Sequence, residues 1–224
     1  PRSIRTNEIV EKTSVSFKVL WQDFLAIIKI GIINSNLITT FAGFWLALYY
    51  AGESPLDHWL TFILVMLGAG LVIAGGCVIN NYYDRDIDVK MKRTSKRATI
   101  TGSIPLNVIL TMGISFSIIG LGLLYLTSPM AALYGFIGWF VYVVVYTMWT
   151  KRRYTINTVI GSFSGAAPPL IGWAAVDSTL HPTAFVLFLI MFLWQTPHFL
   201  ALAMMKREDY RNAGVPMLPV IYGN

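Results

Sequence analysis

The sequence predicts an all-α fold, a polytopic membrane helical bundle, and three observations predict it. The chain of 224 residues is 55% hydrophobic and only 12% charged, with a mean hydropathy of +0.61, too apolar for a water-soluble domain. Its apolar residues gather into six stretches, about 30–50, 59–79, 106–126, 130–149, 156–176 and 183–204, none of which contains Asp, Glu, Lys or Arg. With six spans the loops alternate sides, and all 17 Lys and Arg then fall on one side.

Each stretch follows from the physics of lipid. About twenty residues at about 1.5 Å rise cover a hydrocarbon core about 30 Å thick. A backbone with no water to bond must bond to itself, so each stretch reads as a helix. The basic side carries the N-terminal arm (Arg2, Arg5, Lys12, Lys18, Lys29), the loop after span two, Lys151-Arg152-Arg153, and Lys206, Arg207 and Arg211 after span six. The opposite loops carry only Glu53, Asp57 and Asp177. This asymmetry places the N-terminus and the basic loops in the cytoplasm or the mitochondrial matrix, with a bacterial cell membrane preferred over the mitochondrial inner membrane. The net charge of +6 serves that orientation and attraction to anionic lipid. Two regions are expected: an arm over 1–29, amphipathic and lying on the membrane, and a transmembrane domain over 30–224. Cys77, the single cysteine, excludes an intrachain disulfide.

The charge is densest in "NNYYDRDIDVKMKRTSKR", residues 80–97, with three aspartates and six bases. If span two continues as helix, Asn80, Asp84 and Asp88 fall at i, i+4 and i+8 on one face. Three oxygen groups so placed repel unless a cation lies among them. Hard oxygens suit Mg²⁺, which takes few protein carboxylates and completes its shell with water and phosphate. Neighbouring Lys90, Lys92, Arg93, Lys96 and Arg97 suit a polyanion such as a diphosphate. Such a pairing at the mouth of an apolar bundle describes a site for a lipid diphosphate. A solvated loop of mutually paired charges is the competing reading. A second charged run, "KREDYRNAG" at 206–214, ends span six on the same side, so a repeated four-helix unit would bring both clusters over one cavity.

Asn80, Asp84 and Asp88 resemble the N-x-x-x-D-x-x-x-D motif of the intramembrane prenyltransferases of the UbiA superfamily. "NNYYDRDIDVKMKRTSKR", "NTVIGSFSGAAPPLIGW" (157–173) and "WQTPHFLALAMMKREDYRNAGVPMLPV" (194–220) are similar to its haem-modifying branch, the protohaem IX farnesyltransferases. The resemblance implies the UbiA prenyltransferase type of bundle, usually of nine spans, of which this chain supplies six and is expected to lack the C-terminal part. It implies transfer of farnesyl from farnesyl diphosphate to a vinyl group of haem b with addition of water, giving haem O and diphosphate. Mg²⁺ is then the cofactor and haem b a substrate.

Carried over residue by residue, the resemblance implies that Asn80, Asp84 and Asp88 hold Mg²⁺ and that Arg93 and Arg97 clamp the diphosphate. Asp84, Asp88, Arg93 and Arg97 are the catalytic set, with Lys90, Lys92 and Lys206 as further diphosphate ligands. Tyr82, Tyr83, Trp194 and Phe199 are candidates to face the allylic cation. Many members carry a second aspartate pair after span six, whereas here Asp209 is followed four residues on by Ala213. Asp209 is therefore a metal candidate with Glu208 or Asn212, or positions Lys206.

His198 is the ionisable group inside a span and, beside Pro197, suits haem contact with Trp194 and Gln195. Asn34 and Asn36 are expected to face the cavity, and "GAAPPLIG" in span five to serve close packing and a kink. Expected partners are farnesyl diphosphate, haem b and the lipid bilayer, with haem A synthase or a terminal oxidase assembly as further candidates and no nucleic acid. A different prenyl acceptor on the same fold, or a transporter, are the rival readings; a transporter is expected to place polar groups at the midplane of several spans, whereas here they collect at the inner mouth.

Overall fold

The computed structural model describes residues 17–179 and 181–223, and every regular element among them is helical. In chain order they are α1 (Phe17–Ile28), α2 (Ile30–Ala51), α3 (Trp59–Tyr83), α4 (Arg85–Asp88), α5 (Ala98–Thr101), α6 (Leu106–Thr127) and α7 (Pro129–Phe140). α7 runs on as a π-helix over Val141–Trp149 and a 3₁₀ turn over Thr150–Arg152. There follow α8 (Asn157–Ala166), α9 (Pro168–Ala174), α10 (Pro182–Met205), α11 (Arg207–Asn212) and α12 (Leu218–Tyr222). Arg2, Arg5, Glu8, Glu11 and Lys12 of the arm lie outside the described residues.

The chain is a multi-pass membrane protein. Among the described residues five segments are each long and apolar enough to cross a bilayer: α2, α3, α6, the continuous 129–152 segment, and α10. The remaining apolar stretch, 156–176, is two shorter helices. Pro168 and Pro169 supply no N–H, so the ladder breaks there. Ala167 keeps helical angles (φ −68°, ψ −31°), and α8 and α9 follow one another in tandem. Side chains such as Ile118, Leu126 and Leu193 stand exposed on the outside, where lipid replaces water as the solvent of an apolar surface.

Lipid removes the hydrophobic drive between helices, so close packing must hold them together, and small residues permit it. α3 lies on α6 with Gly75 against Ser117 and the Gly113 carbonyl, and Gly120 against Val72 and the Gly68 carbonyl. α2 lies on α9 with Gly43 against the Pro169 backbone and Gly172 against the Thr40 carbonyl. The "GAAPPLIG" stretch thus does serve close packing. A core of Phe44, Leu48, Val65, Ala69, Leu124 and Ile171 fills the space between these pairs.

The charged end is tied down separately. Ile87, Met91, Ala203, Ala213, Val215 and Met217 form a buried cluster beneath the loop after α3 and the segment after α10. The backbone N–H of Lys92 donates to Asp209 Oδ1 at 3.3 Å. The two charged runs at 80–97 and 206–214 therefore meet, although of the second run only Tyr210 lines the main cavity. On the other flank Ile27 and Ile28 of α1 are buried with Val78 and Ile109, and Ser103 donates to the Asp23 carboxylate at 2.5 Å. α1 and α2 are joined by a single residue, Lys29, in the left-handed region (φ 56°, ψ 57°). It is the one non-glycine residue with positive φ among the described residues, a conformation that costs an L-residue about 1–2 kcal/mol.

Candidate active site

A cavity of about 630 Å³ opens among α2, α3, the 129–152 segment, α8 and α10. Its charged end is built from the end of α3 and the loop beyond. α3 stops at Tyr83 because Asp84 turns to φ −84°, ψ 2°, and α4 begins one residue later. The i→i+4 bonding nevertheless survives the turn: Asp84 N donates to Asn80 O at 2.9 Å and Asp88 N to Asp84 O at 2.8 Å. Asn80, Asp84 and Asp88 thus follow one another as expected, but across a break rather than on one helix face. Asn80 and Asp88 line the cavity, while Asp84 is wholly buried just behind its wall.

Each of the three is held by a base. Asn80 Oδ1 accepts from Lys29 Nζ at 2.6 Å, Asp84 Oδ2 accepts from Lys151 Nζ, and Asp88 Oδ2 accepts from Arg97. The Asn80 amide nitrogen donates to Asp84 Oδ2 at 2.8 Å and to Thr147 Oγ1 at 3.0 Å, which fixes its oxygen toward Lys29. Arg152 reaches Asp84 at 3.5 Å but grips Asp86 with two bonds of 2.7 Å. Those bonds hold the Asp86 carboxyl below its usual range. Asp86 therefore serves Arg152, not Arg85 or Lys90; Arg85 donates to the Tyr82 carbonyl at 2.7 Å and lies over the Tyr82 ring.

The donor set fits Mg²⁺. Two carboxylates and an amide are hard oxygen ligands, few in number, and leave room for water and phosphate. No three of His, Cys, Asp and Glu come together among the described residues, so nothing here resembles an all-protein cage.

The bases divide differently from expectation. Arg93 and Arg97 line the cavity, and Lys29 and Lys151 join them. Lys90 is exposed and lines no part of it; Lys92 and Lys206 line an adjoining cleft of about 610 Å³ with Arg207 and Asp209, and Arg93 lines both. The cause is Met91, buried at 2% exposure in the cluster under the loop, which turns its two lysine neighbours outward. Asp209 likewise stands in that cleft, on the Lys92 amide rather than beside Asp84 and Asp88. Glu208 accepts from Arg211 at 2.5 Å.

The aromatic wall also shifts. Tyr82 lies under Arg85 and Tyr83 under Arg152, both away from the cavity. Trp194 and Phe199 do line it, and with them Trp139, Tyr142 and Tyr146. The two tyrosines stack at 5.8 Å. They come from the π-helix, whose wider turn is common at functional sites. The hydroxyl of Thr147 donates to the Tyr142 carbonyl at 2.8 Å across five residues, and the same turn carries Lys151 to Asp84. Lys151 was hidden in the sequence as one of a basic run ending a span; Tyr142 and Tyr146, four apart with hydroxyls in an apolar span, were the available sign.

His198, Trp194 and Gln195, the residues expected to contact haem, line the same cavity. His198 stacks on Trp194 with ring centroids 4.9 Å apart and planes 10° from parallel. Gln195 is buried, donates from Nε2 to the Gly165 carbonyl at 2.9 Å, and keeps Oε1 without a hydrogen-bond partner. Asn36 lines the cavity from α2, whereas Asn34 does not.

Residues 36–224 match the UbiA prenyltransferase family. The chain belongs to that family. It is 57% identical to protoheme IX farnesyltransferase of Oceanobacillus iheyensis over 97% of this chain and 70% of the relative. It is 61% identical to protoheme IX farnesyltransferase 2 of Bacillus subtilis over 91% of this chain and 67% of the relative. Among solved structures, a UbiA homolog from Archaeoglobus fulgidus bound to DMAPP and Mg²⁺ superposes with a TM-score of 0.76 at 18% identity, covering 90% of this chain and 69% of that one. That likeness shows the fold. For a UbiA prenyltransferase the arrangement is chemically apt: hard oxygens and fixed cations at one end of an apolar chamber, and aromatic faces along its length.

Proposed function

We propose that this UbiA prenyltransferase joins the farnesyl group of farnesyl diphosphate to a vinyl group of haem b, with water added, and releases diphosphate. The observation that carries the reading is the chamber that Asn80, Asp88, Arg93 and Arg97 line together with His198 and Trp194. The names of its relatives supply the acceptor.

In the reaction the allylic C–O bond breaks with both electrons staying on the diphosphate oxygen. The farnesyl carbon bonds to the outer vinyl carbon, and the cation left beside the porphyrin takes water and sheds a proton. Asn80, Asp84 and Asp88 would hold Mg²⁺, which when bound offsets charge on the leaving diphosphate. Arg93, Arg97 and Lys151 receive the phosphate oxygens as cations already positioned at the end of an apolar chamber. Tyr142, Tyr146 and Phe199 present ring faces to the allylic cation. His198 and Trp194 bear on the haem, a neutral imidazole being a natural iron ligand. The chamber mouth lies on the cytoplasmic side, following the basic loops.

The test is to incubate the full-length protein with haem b, farnesyl diphosphate and Mg²⁺ and to weigh the haem product. A gain of one farnesyl and one water is expected. Untouched haem from a protein that prenylates a quinone precursor would overturn the acceptor while leaving the donor site in place. His198→Phe is expected to raise the KM for haem about tenfold, the equivalent of about 1.4 kcal/mol of binding, with the KM for farnesyl diphosphate unchanged.

A further inference from the structure

Lys29 is the one described residue with strained backbone that is not glycine, and its side chain ends inside the cavity on the amide oxygen of Asn80. Backbone strain of this kind persists only where the surroundings enforce it, and it concentrates at functional sites. The enforcement is visible here. Asn81, fully buried on α3, donates to the Ile27 carbonyl at 2.7 Å and fixes the chain two residues before Lys29. The Lys29 carbonyl then accepts from Ile32 N at 2.8 Å, which starts α2. Between those two anchors a right-handed residue would continue α1 straight into α2; the left-handed turn redirects the chain where the lysine enters the chamber. The adjacent asparagines thus act on one lysine, Asn81 through the backbone beside it and Asn80 through its ammonium.

The ammonium now stands on the oxygen that Asn80 would offer a divalent cation. Two cations cannot share that oxygen at close range, so metal arrival requires Lys29 to leave it. Lys29 also comes within 3.4 Å of the Tyr142 hydroxyl, toward the chamber interior. A diphosphate in the chamber gives the displaced ammonium a new partner.

We propose that Lys29 is a further diphosphate-binding residue, that it occupies Asn80 until substrate arrives, and that it thereby couples metal binding to diphosphate binding. The inference rests on the prenyl diphosphate reading of the site. Coupling between two ligands is reciprocal, so it is measurable from either side.

The experiment is Mn²⁺ binding by electron paramagnetic resonance on the full-length protein in detergent, with and without inorganic pyrophosphate, in wild type, Lys29→Met and Lys29→Gly. Wild type is expected to bind Mn²⁺ at least tenfold tighter in the presence of pyrophosphate, after correction for Mn²⁺–pyrophosphate in solution. Both variants are expected to bind Mn²⁺ alone more tightly than wild type and to lose most of the coupling. Their KM for farnesyl diphosphate should rise at least tenfold while the KM for haem holds. Lys29→Gly accepts the left-handed turn without strain, so it keeps the question open to measurement should Lys29→Met misfold. Variants with wild-type coupling and wild-type KM for farnesyl diphosphate would overturn the role of Lys29 alone. Absence of Mn²⁺ and pyrophosphate binding in wild type would instead overturn the underlying diphosphate site.

Discussion

Asp84→Ala is expected to leave about a hundredth to a thousandth of the wild-type kcat/KM, by analogy with the loss of one preorganised electrostatic partner. The carboxylate is wholly buried and does two things at once. It accepts from the Asn80 amide nitrogen at 2.8 Å, which aims the amide oxygen, and it holds the ammonium of Lys151. Removing it takes away a proposed Mg²⁺ ligand, frees Asn80 to turn, and leaves Lys151 buried without its counter-charge. Breaking one side of a buried pair costs about 3–5 kcal/mol, so the variant should also melt at a lower temperature. The two losses separate in the double variant Asp84→Ala/Lys151→Met. With both charges gone, stability should largely return while activity stays lost. Steady-state kinetics on haem b and farnesyl diphosphate, with thermal unfolding in the same detergent, measure both. Activity above a tenth of wild type in Asp84→Ala would remove this residue from the site.

The second large effect is structural. Gly172→Val is expected to lower stability by about 3 kcal/mol or more, at the upper end of what overpacking costs. A Cβ at 172 would fall on the Thr40 carbonyl oxygen and close to Phe44 N. These are backbone atoms of α2, not side chains that can swing aside, so the whole helix must shift. Gly172→Ala already places that carbon and should suffer most of the loss. Gly122 offers the control: a Cβ there meets nothing within 4 Å, and Gly122→Ala in mid-helix α6 should stabilise by up to about 1 kcal/mol. Unfolding midpoints of the three variants, read together, test the contact rather than the residue type.

The spans were legible because lipid imposes one rule on every residue of a span, and a charge-free run of twenty records it. The motif at 80–88 was legible because oxygen ligands spaced by four are rare in so apolar a chain. The cations were only half legible. Arg93 and Arg97 do line the cavity, but Lys90 and Lys92 alternate around Met91, and the burial of Met91 depends on Ala203, Ala213 and Val215, far along the chain. Lys151 looked like an orientation charge because nothing in a basic triplet marks which member turns inward. The π-helix that turns it has no hydrophobic period of its own to read. Lys29 was counted with the arm, since its entry into the chamber depends on a left-handed turn that local sequence does not announce.

One hydrogen bond described above joins two distant parts of the sequence in a single requirement. In an unbroken helix the Gly165 carbonyl would receive the amide of residue 169, but that residue is proline and has none to give. The amide that answers it comes from Gln195 on α10. The vacancy made by Pro169, which itself packs against Gly43 on the far side, thus fixes the rotamer of a side chain in the wall beside Trp194 and His198. A methyl group at Gly165 would occupy the space of that same amide and push the Gln195 side chain off its partner. Restoring an N–H at position 169 would offer the carbonyl a second donor and release Gln195 from its only anchor among the described residues. The shape of the wall that carries Trp194 and His198 is therefore set in part by a proline that does not line the chamber.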